Sequence, residues 1–343
     1  MRSYALLVHP SANRVYADAS VSLTVAELGV LASTRLEGRL GEASPTRIAG
    51  VPYLAFDGDL TAADLILIGD VSTAMALFER GGEMLRPVEL SRRDRFDDDL
   101  LTILKYPGKT NEVFTKLLLN VTVWSGRERE APLRILDPMC GRGTTLNQVL
   151  MNGWHAAGVD VDDRDFDTYA AFLRKWLKDK RLKHSVEINP LRREGARLGR
   201  RFHAEVGATK EEWKAGRALN VDVANTDTVH TRAVHQAASF DAVVTDAPYG
   251  VQHGSRSGGR LARSPLDLLR EAVPVWAEVL RPGGAMGIAW NVRVAARDEA
   301  LGILAGAGLE PLDAGPYRAL EHRVDHAIQR DVLVARKPRP TPV

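Results

Sequence analysis

The residues best suited to chemistry sit in two short segments. The first reads Ile135-Leu136-Asp137-Pro138-Met139-Cys140-Gly141-Arg142-Gly143-Thr144-Thr145-Leu146. An apolar strand ends in an acid, a glycine-rich turn follows, and a helix is predicted from the two threonines. Glycines adopt positive φ and let a ligand approach the backbone closely, and a helix start offers unpaired N–H groups. A dinucleotide fingerprint would need a third glycine where Leu146 stands, and a phosphate loop would need Gly-Lys-Ser/Thr where Gly143-Thr144-Thr145 stands. An acid ahead of the turn suits a cationic or zwitterionic ligand better than a polyphosphate. A purely structural strand-to-helix turn is the alternative.

The second segment reads Val243-Val244-Thr245-Asp246-Ala247-Pro248-Tyr249-Gly250. Asp246 ends an apolar strand, Pro248 stiffens the turn, and Tyr249 offers a flat face on which a base can stack. An aromatic amine is a poor nucleophile because its lone pair is conjugated with the ring. A carboxylate and a neighbouring carbonyl that accept its hydrogens favour pyramidal geometry and free that lone pair. The plainer reading is an Asx-type turn beside a core tyrosine. Two further acids end candidate strands, Asp160 (with Asp162 behind it) and Asp222. The first is placed to accept ribose hydroxyls and the second an adenine amine. Each alone reads more readily as a loop or helix-capping residue, but ligands of open α/β sheets bind outside the carboxyl ends of strands, where these acids recur.

The elements that must hold these residues follow from the pattern around them. The chain has 343 residues, enough for about two domains at ~100–200 residues each. Lys+Arg total 46 against 44 Asp+Glu, a balance that neither requires nor excludes a polyanionic partner. With one cysteine, Cys140, a disulfide framework and a four-cysteine metal site are excluded. The histidines form no recognisable metal cluster, so no metal is expected. No signal peptide and no apolar run of membrane-spanning length is evident, so a cytoplasmic location without membrane contact is expected.

From Arg134 onward short apolar runs alternate with helical stretches. The predicted strands are 134–137, 155–160, 218–222, 242–246, 285–290, 309–313 and 329–335. Near-continuous apolar strands joined by helices imply a mostly parallel sheet covered on both faces. Residues 1–95 read as a small α/β or α+β accessory domain. Its predicted elements are strands at 4–8 and 47–56, and helices at 20–33 and from Thr61 to about Phe78. Residues 96–130 read as a linker and a lead-in helix from Asn111 to about Trp124. Residues 131–337 form the main domain. Within it, 164–217 holds 15 Lys+Arg against 8 Asp+Glu, read either as a solvated helical insertion or as a phosphate-contacting patch.

The combination Asp-Pro-x-x-Gly-x-Gly-Thr-Thr-Leu and Thr-Asp-x-Pro-Tyr-Gly resembles the S-adenosylmethionine-dependent amino methyltransferases. More narrowly, it resembles the tRNA guanosine N2-methyltransferases that carry an N-terminal THUMP region. Tyr106-Pro107-Gly108-Lys109-Thr110-Asn111-Glu112-Val113-Phe114-Thr115, Leu280-Arg281-Pro282-Gly283-Gly284 and the basic segment His322–Arg330 resemble further parts of that family. The likeness covers about residues 105–336. Ala247 stands where a second proline is commoner, the N-terminal part is shorter than the family's full assembly, and the basic insertion has no obvious counterpart.

The resemblance implies a class I methyltransferase fold, with a seven-stranded mostly parallel sheet ending in an antiparallel hairpin. It implies S-adenosyl-L-methionine as cofactor and RNA, specifically tRNA, as partner. It places Asp137, Gly141, Gly143 and Thr144 around the methionine part, Asp160 on the ribose and Asp222 near the adenine. Phe114 and Thr115 would close over the cofactor or line its pocket, and Asp246, Pro248 and Tyr249 would be catalytic. The alternatives are a DNA adenine or cytosine amino methyltransferase and a catalytically silent RNA-binding protein on the same scaffold. The oligomeric state is left open.

Overall fold

The computed structural model describes residues 1–9, 14–130, 132–193, 195–247, 264–324, 326 and 328–339. The N-terminal part contains β1 (Arg2–Val8), α1 (Arg14–Thr34), β2 (Ser44–Ile48), β3 (Val51–Gly58), α2 (Ala62–Gly69), β4 (Ala74–Gly81) and β5 (Met84–Val88). Its five strands form an antiparallel sheet in the order β2-β3-β1-β4-β5. Two expectations are corrected here. The single strand at 47–56 is a hairpin that turns at Ala49 and Gly50, with φ of 50° and 80°; a two-residue turn needs positive φ, and Ala-Gly is a weak sequence signal for it. The helix from Thr61 ends at Gly69, where a Cβ would lie 2.5 Å from the Ser91 carbonyl oxygen. The chain then forms β4, which pairs with β1 instead of continuing the helix.

Between the two sheets lie α3 (Asp99–Thr102) and α4 (Glu112–Ser125). Asn111 starts α4 as its cap, its Oδ1 accepting from the N–H groups of Val113 (2.8 Å) and Phe114 (3.3 Å).

The main sheet contains β6 (Arg134–Asp137), α5 (Thr144–Met151), β7 (His155–Asp160), α6 (Asp163–Asp179), β8 (Lys183–Arg193), β9 (Ala196–Gly207), α7 (Lys210–Lys214), β10 (Leu219–Asn225), α8 (Thr231–Val234) and β11 (Phe240–Asp246). It continues with α9 (Pro265–Val279), β12 (Leu280–Asn291), α10 (Arg297–Gly306), β13 (Glu310–Pro311), β14 (His322–Arg323) and β15 (Gln329–Arg336). The strand order is β13-β15-β12-β11-β6-β7-β10-β9-β8, with β14 paired to β15. β10, β7, β6, β11 and β12 are mutually parallel, and β15 is antiparallel to β12. Successive strand residues face opposite sides. Ile135 joins the core under α4, α5 and α6, whereas Leu136 joins the core under α9 and α10.

The basic stretch is corrected as well. Its first third is the crossover helix α6, but residues 183–207 are a β-hairpin that adds two antiparallel strands beside β10. Phe202, Ala204 and Val206 are buried in alternation, a period of two that the charged residues between them obscure.

Candidate active site

The glycine turn and the strand-end acids form one bonded unit at the carboxyl edge of the sheet. Asp137 is fully buried, and its Oδ1 accepts from the Met139 N–H at 3.1 Å. Burial pushes its carboxyl up to about 7. Asp160 ends the neighbouring β7. Its Oδ2 accepts from the Gly141 N–H (2.7 Å) and its Oδ1 from the Asp162 N–H (2.8 Å). Burial raises it to about 6, against those two hydrogen bonds. Asp162 itself caps α6, accepting from the Arg164 and Asp165 N–H groups.

A side chain is excluded at two points, one in the turn and one on the neighbouring β7. Gly143 has φ of +79°, and a Cβ there would lie 2.2 Å from the ring of Tyr169. Gly158 faces Cys140, whose Sγ would be 2.6 Å from an added Cβ. Cys140 is thus a buried packing residue, its thiol pushed up by burial. α5 starts at Thr144 with no side-chain cap, so its first N–H groups face the turn. Above it, the Arg142 guanidinium lies 4.6 Å over the Tyr106 ring and pairs with Asp165 at 2.8 Å. The Tyr106 hydroxyl is 3.2 Å from Thr144 Oγ1.

Asp246 is the last residue of β11, the strand next to β6. Thr110, just before α4, donates its hydroxyl to Asp246 Oδ2. Arg330 on β15 lies 3.7 Å from the same oxygen. The Arg330 guanidinium is buried and stacks 4.3 Å from the Phe114 ring centroid, and the His322 ring lies 5.2 Å from the same Phe114 ring, centroid to centroid. Burial lowers His322 to about 4, so it is neutral at pH 7. Thr115 is buried and donates to the Asn111 carbonyl at 3.1 Å.

The structure therefore brings Asp137, Gly141, Gly143, Thr144 and Asp160 together, and sets Phe114 and Asp246 around Arg330. It does not bring Asp222 to this edge. The strand expected to end at Asp222 runs on to Asn225, because Asn225, not Asp222, pairs with Asp160. Asp222 sits mid-strand in an ion pair with Arg201 at 3.2 Å, and the Asn225 amide reaches the Asp160 carbonyl at 3.2 Å. Pro248 and Tyr249 lie outside the described residues. Sequence reading passed over Thr110 and Arg330 as site residues, although both lie in segments it singled out. Among the described residues there is no group of three potential metal ligands, and no helix is long and apolar enough to cross a membrane.

Removing β8, β9 and the short β14 leaves seven strands in the order 3-2-1-4-5-7-6, the last hairpin antiparallel. With a glycine turn after strand 1 and an acid after strand 2, this is a class I methyltransferase. The family model described as UPF0020, RMKL-like, methyltransferase domain, matches residues 104–291, and the chain belongs to that family. A search among curated proteins finds no match. Among solved structures, the chain is similar to the N-methyltransferase NodS from Bradyrhizobium japonicum WM9, with 14% identity over 66% of this chain and 95% of that one and a TM-score of 0.39. It is also similar to a TehB-like SAM-dependent methyltransferase from Corynebacterium glutamicum, with 17% identity over 61% and 82% of the two chains and a TM-score of 0.34.

The cofactor is S-adenosylmethionine. The residues present fit it. Asp137 and Asp160 are carboxylates raised by burial, and neither has an ion pair among the described residues. A ligand carrying an ammonium, a sulfonium and ribose hydroxyls supplies the positive charge that such acids lack and further donors beside their backbone N–H partners.

Proposed function

We propose that this methyltransferase modifies an exocyclic amine of a nucleobase, guanosine N2 in tRNA, as its resemblance to the THUMP-associated enzymes implies. The observation that carries this reading is the position of Asp246, a carboxylate at the end of the strand beside the glycine turn and tethered by Thr110 and Arg330. Asp137, Gly141, Gly143 and Thr144 hold the methionine portion of the cofactor, and Asp160 accepts its ribose hydroxyls. When bound, the cofactor supplies a methyl group on a sulfonium, an electrophile for an amine lone pair. Asp246 accepts an amine hydrogen and orients that lone pair toward the methyl group, and alignment of this kind is where such a site gains most of its rate. Pro248 and Tyr249 follow directly and complete the catalytic loop, with Tyr249 stacking on the flipped base. Stacking of this kind contributes ~1–3 kcal/mol against the cost of unstacking. Residues 1–95 serve as the accessory RNA-binding part and residues 131–337 as the catalytic part.

The test is transfer of labelled methyl groups from S-adenosylmethionine to unfractionated tRNA and, separately, to duplex DNA, followed by digestion to nucleosides and mass spectrometry. N2-methylguanosine is the expected product, and Asp246→Ala should retain cofactor binding while losing transfer. Methylated adenine or cytosine in DNA would assign the enzyme to a different substrate. Undiminished turnover by Asp246→Ala would remove the catalytic role given to this residue.

A further inference from the structure

The hairpin formed by β8 and β9 does not stop at the edge where the site lies. Arg200 on β9 pairs with Asn225 at the end of β10, and Asn225 pairs with Asp160. β9 begins four residues earlier, at Ala196, and β8 runs to Arg193. At ~3.3 Å per residue this overhang rises about 13 Å beyond the catalytic edge. Gly199 lets it pass, since a Cβ there would lie 1.9 Å from the Asn225 carbonyl oxygen. A bulge between Leu191 and Arg192 bends the projecting part.

The overhang carries basic residues that the fold does not use. Lower in the hairpin, Arg200 pairs with Asp163 and Asp167, and Arg201 pairs with Asp222. These contacts hold the hairpin to α6 and β10. Arg192 and Arg197 are different. They are cross-strand partners, both are exposed, and neither has an ion pair among the described residues. Like charges directly opposite each other destabilise a strand pair, so folding does not account for this arrangement. An anion between them does.

Position narrows the kind of anion. β9 lies four strands from β11 in the sheet order, about 19 Å away at ~4.8 Å per strand. A single nucleotide seated at Asp246 cannot reach the hairpin tip, whereas a polynucleotide entering the site presents phosphates at that distance. We propose that the overhanging tip, through Arg192 and Arg197, grips the phosphate backbone of the RNA that flanks the target nucleotide. This rests on the RNA reading above.

The test uses the full chain, the double variant R192Q/R197Q, and unfractionated tRNA as probe. Binding is followed by fluorescence anisotropy across roughly 0.05–0.3 M salt, a range in which each phosphate contact contributes ~0.7–0.9 to the slope of log K against log salt. The variant should lose about 1.5 from that slope and bind tRNA roughly tenfold to a hundredfold more weakly near 0.1 M salt. Its affinity for S-adenosylmethionine and its thermal midpoint should match wild type, which separates the effect from unfolding. An unchanged slope, in a chain that still methylates tRNA, would overturn the hairpin's role and leave the proposed function standing. A wild-type chain that neither binds nor methylates tRNA would overturn both. A loss of slope confined to duplex DNA would overturn the assignment of the surface to RNA.

Discussion

Asp137→Asn should make the cofactor-free protein more stable and the enzyme inactive. Burial raises the Asp137 carboxyl from 3.8 to about 7. The folded chain therefore holds a proton at this site that the unfolded chain has already released once the pH passes 4. Where the folded state binds more protons, stability falls as pH rises, so the loss accumulates between about pH 4 and 7 and is complete by pH 8. The difference of about three in pKa corresponds to about 4 kcal/mol. An amide of the same shape has no charge to bury. At ~2 °C per kcal/mol for a chain of this size, the variant should melt several degrees above wild type at pH 8, and the gap should close near pH 4. Comparing the two proteins at each pH cancels the titrating groups that do not interact with Asp137. Wild type should also gain stability on addition of S-adenosylmethionine, increasingly as pH rises from 6 to 8, because the cation favours the carboxylate. The variant should gain little. Differential scanning fluorimetry of both proteins, with and without cofactor, reads all of this. A gap that does not change with pH, or a variant less stable than wild type at pH 8, would refute the reasoning.

Arg330→Met removes the guanidinium beside Asp246 but keeps an apolar group against Phe114. It should lower methyl transfer at least tenfold, about 1.4 kcal/mol or more in transition-state terms, with cofactor affinity unchanged in calorimetry. Asn120→Ala removes the amide that donates to Glu27 Oε1 (2.8 Å) and to the Asp70 carbonyl (2.7 Å). With the Asp70 carbonyl losing this donor and Glu27 Oε1 keeping only the Ser72 N–H, it should cost about 1–3 kcal/mol in a denaturant titration.

Much of the main sheet is legible in the sequence because its strands are buried on both faces. Ile135-Leu136 and Val243-Val244 leave no polar residue to blur the reading, and the strands at 134–137 and 155–160 fall where the apolar runs do. The hairpin at 183–207 is harder to see. Only β9 has a buried face, while exposed β8 alternates weakly, and arginines mask the period. Asp222 misleads for a related reason. The apolar run Val223-Ala224 that follows it continues the strand, but an acid three residues earlier looks like a strand end. The partners of Asp246 are invisible locally: Thr110 lies 136 positions before it, and Arg330 belongs to the last hairpin. Only the fold, with β11 central and β15 two strands away, brings the three together.

That convergence links the N-terminal part to Asp246. Two tethers of Asp246 among the described residues, Thr110 and Arg330, fall on one oxygen, Oδ2. One tether precedes the cap of α4, and the other stacks on Phe114 in the first turn of that helix. α4 thus bears on the position of Asp246. α4 is in turn held from the accessory sheet. The fully buried Glu27 of α1 accepts from Asn120 on α4 and from the backbone N–H of Ser72 at 3.0 Å. Burial raises Glu27 against those hydrogen bonds, and such a buried polar node tolerates little displacement of either partner. The N-terminal sheet is therefore coupled to α4 through Glu27 and Asn120, and through α4 to the residues that contact Asp246.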